Sequence, residues 1–286
     1  MSSPLVIASY AKLNLALRII GKRPDGFHEL ETLFERISLH DDLALSAASE
    51  GQTVIECDHP GVPVDGSNLI FRAAALVREC CRVNYGVRFV LTKRIPVAAG
   101  LAGGSSNAAA ALSGLNVFWK LGLSRPQLLA MARKLGSDVA FFLYETPFGL
   151  GTGRGEKIRS FSVRHKFWHV LVTPKAPLLT KDVYAAWDAS LTKESSAVTM
   201  LVSSLRKNNI SLARQQLFND LEKPIRYLRP ELSSLFSRMD KAASGGVCFS
   251  GSGPSVFALV KDQSEAERIA SMFRGSYSQV FAVSTF

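Results

Sequence analysis

Leu13-Asn-Leu-Ala-Leu-Arg-Ile-Ile20 places apolar side chains at roughly every second position, the period of a half-buried strand, and Leu5-Val-Ile-Ala-Ser-Tyr10 ahead of it reads as another strand. Lys22-Arg-Pro-Asp-Gly26 has turn chemistry, and strands are expected again over Leu30–Leu39, Thr53–Cys57 and Val87–Thr92. Between them, Asn68–Cys81 carries apolar residues at helical spacing. Ala108-Ala-Ala-Ala-Leu112 propagates a helix that should end near Lys120, with Gly122 as its stop. Ser124-Arg-Pro-Gln127 is a capping box with Pro in the first turn of a helix ending at Gly136. Ser137-Asp138 then precedes a short apolar helix, Val139–Leu143, and strands follow around 146–151 and 167–173. The second half is more helical, with Lys181–Leu191, Ser195–Asn208, Ile210–Leu217 and Glu231–Ala243 all suited to helices. Val247–Phe249 and Val256–Val260 read as strands around Gly251-Ser-Gly-Pro254. Ser264-Glu-Ala-Glu267 is a second capping box, opening a helix to Phe273, and Gln279–Thr285 closes as a strand. This order fits α+β layers, with a seam near Pro174-Lys-Ala-Pro177.

Composition narrows the class. The 286 residues, 47% of them hydrophobic, suffice for one large domain or two smaller ones. The first ten residues lack a basic segment and a long apolar core, so no secretory leader is expected, and no apolar run is long enough to cross a bilayer. Cys57, Cys80, Cys81 and Cys248 form no C-x-x-C pair; a reduced, cytoplasmic setting fits and a zinc site does not. The net charge of +10 is spread over scattered residues such as Lys12, Arg23, Arg72, Arg94, Lys134 and Arg154. It suits steering of anionic nucleotides, a nucleic-acid surface, or a merely solvated exterior.

The densest chemistry lies in Pro96-Val-Ala-Ala-Gly-Leu-Ala-Gly-Gly-Ser-Ser-Asn107, which runs into the alanine helix. Gly100, Gly103 and Gly104 let main-chain N–H groups approach a ligand, and the helix start adds orphan donors and a partial positive pole. Ser105 and Ser106 add hydroxyls, so a phosphate is the simplest ligand; a tight loop that only packs is the alternative. No Lys follows the glycines as a Walker A loop requires, Gly151-Thr-Gly-Arg-Gly155 does not open a clear helix, and the protein-kinase H-R-D and D-F-G runs are absent.

This loop resembles the second signature motif of the galactokinase, homoserine kinase, mevalonate kinase and phosphomevalonate kinase (GHMP) superfamily. Ala11-Lys-Leu-Asn-Leu15 and Phe249-Ser-Gly-Ser-Gly-Pro-Ser-Val-Phe257 resemble its other two signature segments. Within the superfamily the chain most resembles the branch acting on 4-diphosphocytidyl-2-C-methyl-D-erythritol. The discriminating run is Ala11-Lys-Leu-Asn-Leu15 followed by Arg23-Pro-Asp-Gly-Phe-His-Glu-Leu30, supported by Ser67-Asn-Leu-Ile70, Leu135-Gly-Ser-Asp-Val139 and Phe218-Asn-Asp-Leu-Glu222. The resemblance implies a small-molecule kinase of the non-mevalonate isoprenoid route that moves the γ-phosphoryl group of ATP to the 2-hydroxyl of that substrate. Mg2+ is expected to arrive with ATP, without a protein metal site. An α+β fold is implied: an N-terminal ATP-binding domain over 1–160, similar to the second domain of one ribosomal protein, a C-terminal α+β substrate-side domain over 161–286, and the active site in the cleft between. The chain is expected to be a monomer or weak dimer, with no nucleic-acid or membrane partner.

Residue by residue, the resemblance makes Asp138 the base, with a helix cap as the competing role, and Lys12 its cationic partner. Asn14, two positions along the strand, projects to the same face as Lys12. His28 is implied to read the cytosine edge and Phe27 to stack on it; the family usually has Tyr at that position, so the phenol hydroxyl is lost. Tyr184 is the candidate for the opposite face, or a packed aromatic. Pro96, Val97, Ala98, Ala99, Gly100, Leu101, Ala102, Gly103, Gly104, Ser105 and Ser106 are expected around the phosphates of ATP, and Asn68, Leu69 and Lys93 near its adenine and ribose. Ala98, Ala99 and Ala102 stand where some relatives carry Gly. Gly251 and Gly253 are expected to let the late turn approach the substrate diphosphate, or to form a plain tight turn. The run Gly26-Phe27-His28 argues against homoserine or mevalonate, which have no base to recognise.

Overall fold

The structure, a computed structural model, describes residues 3–187 and 197–286. The expected helices over 181–191 and 195–208 fall partly on 188–196, outside the described residues. Contacts divide the chain into two units, each discontinuous in sequence.

The first unit comprises Met1–Ala11, Leu39–Val97 and Ala102–Glu145. Strands β1 (Leu5–Lys22) and β2 (His28–Ala48) begin and end in it respectively, beside β3 (Thr53–Cys57) and β4 (Gly86–Thr92). β2 and β4 are antiparallel, with Leu43 opposite Leu91 and Leu45 opposite Phe89; β3 runs parallel to β4, with Ile55 opposite Phe89. These side chains share one face because strand residues alternate. Helices α1 (Leu69–Cys81), α2 (Gly103–Phe118) and α3 (Arg125–Leu135) cover that face and bury Ile70, Val77, Ala108–Leu112, Leu115 and Leu129 against it. Such burial yields roughly 1.5–3 kcal/mol per large aliphatic side chain. α3 carries the expected Ser124/Gln127 capping box.

The second unit holds Lys12–Ser38, Ala98–Leu101 and Thr146–Phe286. Here β5 (Phe148–Gly153) pairs antiparallel with β2, β6 (Lys157–Phe161) pairs with β5, and β8 (Phe218–Asn219) runs parallel to β1 at Ala16 and Leu17. A four-stranded antiparallel sheet has the order β11 (Val280–Ser284), β7 (Trp168–Val172), β10 (Val256–Val260), β9 (Val247–Phe249). Helices α4 (Thr180–Ala185), α5 (Ala197–Arg206), α6 (Ile210–Gln216), α7 (Glu222–Leu228), α8 (Glu231–Ala243) and α9 (Gln263–Arg274) complete it. Leu232, Leu235 and Met239 of α8 and Ile269 and Phe273 of α9 join Val170, Val172, Val256 and Ala258 in one buried cluster.

Several expectations need correction. The two N-terminal strands are one: Ser9 and Tyr10 interrupt the apolar pattern but not the backbone pairing. β6 was hidden by its alternating charges and α7 by Pro224, which sits in the first turn where no intrahelical N–H is needed. The cap of α9 is Asp262, whose carboxylate accepts from Glu265 N–H at 2.9 Å, rather than Ser264. No helix among the described residues is long and apolar enough to cross a membrane.

Candidate active site

Lys12 lies on β1 at 3% exposure, an unusual place for an ammonium. Its Nζ donates to the Asn14 side-chain oxygen and, at 2.9 Å, to the Gly100 carbonyl. Asn14, 2% exposed, donates through Nδ2 to Thr32 Oγ1 at 2.8 Å. The Ser250 hydroxyl donates to the same Gly100 carbonyl at 2.9 Å. Gly251 closes the group: a Cβ there would stand 3.2 Å from Asn14 Oδ1 and 3.3 Å from both the Gly100 oxygen and Lys12 Nζ. Asn219 holds the turn from below, its Nδ2 donating to the carbonyls of Phe249 (2.9 Å) and Gly251 (2.7 Å). Three segments far apart in sequence, carrying Lys12 with Asn14, Gly100 and Gly251, thus form one polar knot within the second unit. Gly253 faces instead the apolar side chains of Ile225 and Leu178.

In the first unit, Ala102 precedes α2 with φ +54° and no side-chain cap; Ala98, which belongs to the second unit, also has left-handed backbone, at φ +53°. The first intrahelical bond runs from Ser106 N–H to the Ala102 carbonyl at 2.9 Å, so the N–H groups of Gly103, Gly104 and Ser105 head the helix. Gly104 is exposed, and Ser105 and Ala102 are half-buried; Val97 and Ala98 are exposed, whereas Pro96, Ala99, Leu101 and Gly103 are buried. Ser106 departs from expectation. Its side chain points inward, 2% exposed, and its hydroxyl accepts from Ser9 at 2.8 Å. Asn107 donates to Ser9 Oγ (2.9 Å) and to Asp41 Oδ2 (3.0 Å).

Asp41 is fully buried and gathers the Lys93 ammonium at 2.8 Å and the N–H groups of Arg94 (2.7 Å) and Ile95 (2.8 Å). The Lys93 side chain is therefore not an open cation: it is 5% exposed, and its Nζ would stand 3.2 Å from a Cβ on Gly103. Asn68 is likewise engaged by its own chain. Its side chain caps α1 by accepting from Ile70 N–H at 2.9 Å and donates to the Pro63 carbonyl at 2.6 Å. Leu69, half-buried, is the first residue of that helix.

Asp138 is half-buried at the entrance to a 3-10 turn, Val139–Leu143, and its side chain makes no capping hydrogen bond to that turn. The competing cap role thus loses its basis.

At the start of β2, Phe27 is 52% exposed, with the Arg154 guanidinium 4.7 Å from its ring centre. The His28 ring lies 5.2 Å from Tyr184 and 5.5 Å from Trp187. Burial, with help from the Lys22 charge, holds the His28 pKa below the usual histidine value. The structure therefore brings His28 and Tyr184 together. Ser9, Asp41, Asn219, Ser250 and Trp187 were not foreseen. Asn219 and Ser250 lie inside the motif segments Phe218–Glu222 and Phe249–Phe257, and Trp187 is an aromatic three residues after Tyr184 in a helical pattern; Ser9 and Asp41 had no local signal.

Comparison with known proteins fits this geometry. Residues 68–146 match the GHMP kinases N terminal domain, and residues 201–279 the GHMP kinases C terminal domain. The 4-diphosphocytidyl-2-C-methyl-D-erythritol kinase of Shouchella clausii is 39% identical over 277 residues, covering 97% of this chain and 93% of that protein. The kinase of the same name from Bacillus velezensis is 40% identical over 273 residues, covering 96% and 94%. A crystal structure of a 4-(cytidine 5'-diphospho)-2C-methyl-D-erythritol kinase superposes with a TM-score of 0.85 at 33% identity, covering 98% of each chain. A homoserine kinase from Cytophaga hutchinsonii, 21% identical with a TM-score of 0.78 and covering 100% and 95% of the two chains, shares the fold. With two superfamily domains and near full-length likeness to enzymes of one specificity, the chain belongs to the GHMP kinases and, among them, to the 4-diphosphocytidyl-2-C-methyl-D-erythritol kinase family.

Proposed function

We propose that the protein transfers the γ-phosphoryl group of ATP to the 2-hydroxyl of 4-diphosphocytidyl-2-C-methyl-D-erythritol. The observation that carries this reading is the knot of Lys12, Asn14, Gly100 and Gly251, which sets a buried cation beside two glycine turns. Phosphoryl transfer asks the protein for alignment and for charge stabilisation more than for covalent chemistry. The N–H groups of Gly103, Gly104 and Ser105 and the pole of α2 supply donors for phosphate oxygens. Lys12 stabilises charge at the transferring group, and Asp138 accepts the hydroxyl proton late, as the new oxygen–phosphorus bond forms. Phe27, His28 and Tyr184 take the cytosine; Asn68 and Lys93 act indirectly, one fixing the start of α1 and the other the foot of the glycine loop.

ATP carries its own Mg2+, which screens phosphate charge. Among the described residues no three His, Cys, Asp or Glu side chains gather as a metal site. An ADP-release assay on the cytidyl compound, homoserine and mevalonate tests the reading. Release is expected with the cytidyl compound alone; release with homoserine or mevalonate and none with the cytidyl compound rejects it.

A further inference from the structure

His28 is bracketed by two rings. The Tyr184 plane is tilted by 35° to the imidazole, and the Trp187 plane stands nearly perpendicular, at 84°. Trp187 lies just past the end of α4, where its main-chain N–H donates to the Tyr184 carbonyl at 3.3 Å. Both aromatic side chains pack on the apolar cluster that includes Leu17, Leu178 and Ile225. The indole Nε1 of Trp187 is shut off from solvent and has no hydrogen-bond partner among the described residues. Buried donors are nearly always satisfied, and one left without an acceptor is costly. This N–H lies beside the His28 ring, where a bound molecule could bring it an acceptor.

We infer that Trp187 is a further recognition residue for the nucleoside part of the substrate, its Nε1–H donating to an acceptor on the cytosine or ribose. This rests on the function proposed above. A base entering beside His28 replaces one of the two ring contacts and brings that acceptor to the indole; side-chain changes of this kind are common on binding. Tyr and Trp suit such a place because one end is apolar and the other hydrogen-bonds.

Calorimetric titration of the full chain with cytidine and with cytidine 5'-diphosphate tests the inference on three proteins: the parent, Trp187→Phe, which keeps an aromatic ring without the donor, and Trp187→Ala, which removes both. Loss of one hydrogen bond should weaken both ligands about five- to tenfold in Trp187→Phe. The ligand-free thermal midpoint of that variant should stay within about 3 °C of the parent, since the lost N–H satisfied nothing there. Parent-like affinity in Trp187→Phe, with loss only in Trp187→Ala, assigns the ring and not the donor, and overturns the inference. So does a loss confined to the diphosphate, which places the acceptor on phosphate, and so does a fallen midpoint with unchanged affinity, which assigns the N–H an internal partner. These results leave the proposed reaction standing if the parent turns over the cytidyl compound; a parent that neither binds these ligands nor turns it over removes both readings.

Discussion

The Lys12 ammonium and the Gly100 carbonyl are 2.9 Å apart, joining residues 88 positions apart in the chain. The contact fixes the first turn of the glycine loop and sets a positive charge next to it. Lys12→Met keeps the length of the side chain without the charge. Turnover should fall by about two to three orders of magnitude, as when one charge-stabilising donor is removed from an active site. Steady-state kinetics on folded protein, verified by circular dichroism, checks this; a fall of less than about tenfold would remove Lys12 from the chemistry.

Asp138 makes no capping bond to the 3-10 turn it introduces. Asp138→Ala is expected to lower turnover by about two to four orders of magnitude, the usual worth of a positioned base. Affinity for ATP should change little. Single-turnover measurements separate the two, and near-normal turnover would sink the base assignment.

Two positions of the loop should respond very differently in size. Gly100 has φ +75°, and a Cβ there would lie 2.1 Å from the Ser250 carbonyl oxygen. Gly100→Ala is therefore expected to destabilise by about 3 kcal/mol or more, through backbone strain and collision together. Ala102 already holds φ +54° with a side chain in place. Ala102→Gly relieves that strain at some cost in chain entropy, and should shift stability by less than about 1 kcal/mol. Urea denaturation of both variants gives the comparison.

Asp41 and Lys93 form a buried ion pair at 2.8 Å, with exposures of 0% and 5%. Asp41→Ala leaves an ammonium and two main-chain N–H groups without their acceptor. A loss of about 3–5 kcal/mol is expected, because removing one partner strands a buried charge. The double variant Asp41→Ala with Lys93→Met should recover part of it, and chemical denaturation measures both.

His28 titrates below the usual value of about 6.5, first because it is partly buried and then because of Lys22. The unfolded chain therefore takes up the proton at higher pH than the folded one. The stability His28 contributes is complete above about pH 6.5 and is lost as pH falls through that value toward the lower folded one. Melting curves from pH 5 to pH 8 for the parent and His28→Gln should diverge only on the acid side. A difference confined to alkaline pH would contradict the burial argument.

Much of the fold was legible because burial writes a period into the sequence. Thr53–Cys57, Glu231–Ala243, Val247–Phe249 and Val256–Val260 fall where strand and helix spacing put them. The link between Lys12 and Asn14 was legible for the same reason, since strand neighbours two apart share a face. The partners across the fold were not. Asp41 with Lys93, Ser9 with Ser106, and Asn219 with Gly251 are separated by 52, 97 and 32 positions, and no local pattern announces them. Asn68 and Lys93 kept their places in the pattern, yet their polar atoms turned out to bind their own chain. A motif specifies residue types; which way a side chain turns depends on packing that only the folded chain supplies.

The inward network of Ser9, Ser106, Asn107 and Asp41 has a thermodynamic corollary. Many anion-gripping loops become ordered only when the anion arrives, and surrender part of their intrinsic affinity to that ordering. Here the first turn of α2 is already moored to the interior by hydroxyl, amide and carboxylate groups. Folding itself has met the entropic demand, and the main-chain donors that head this helix stand preorganised.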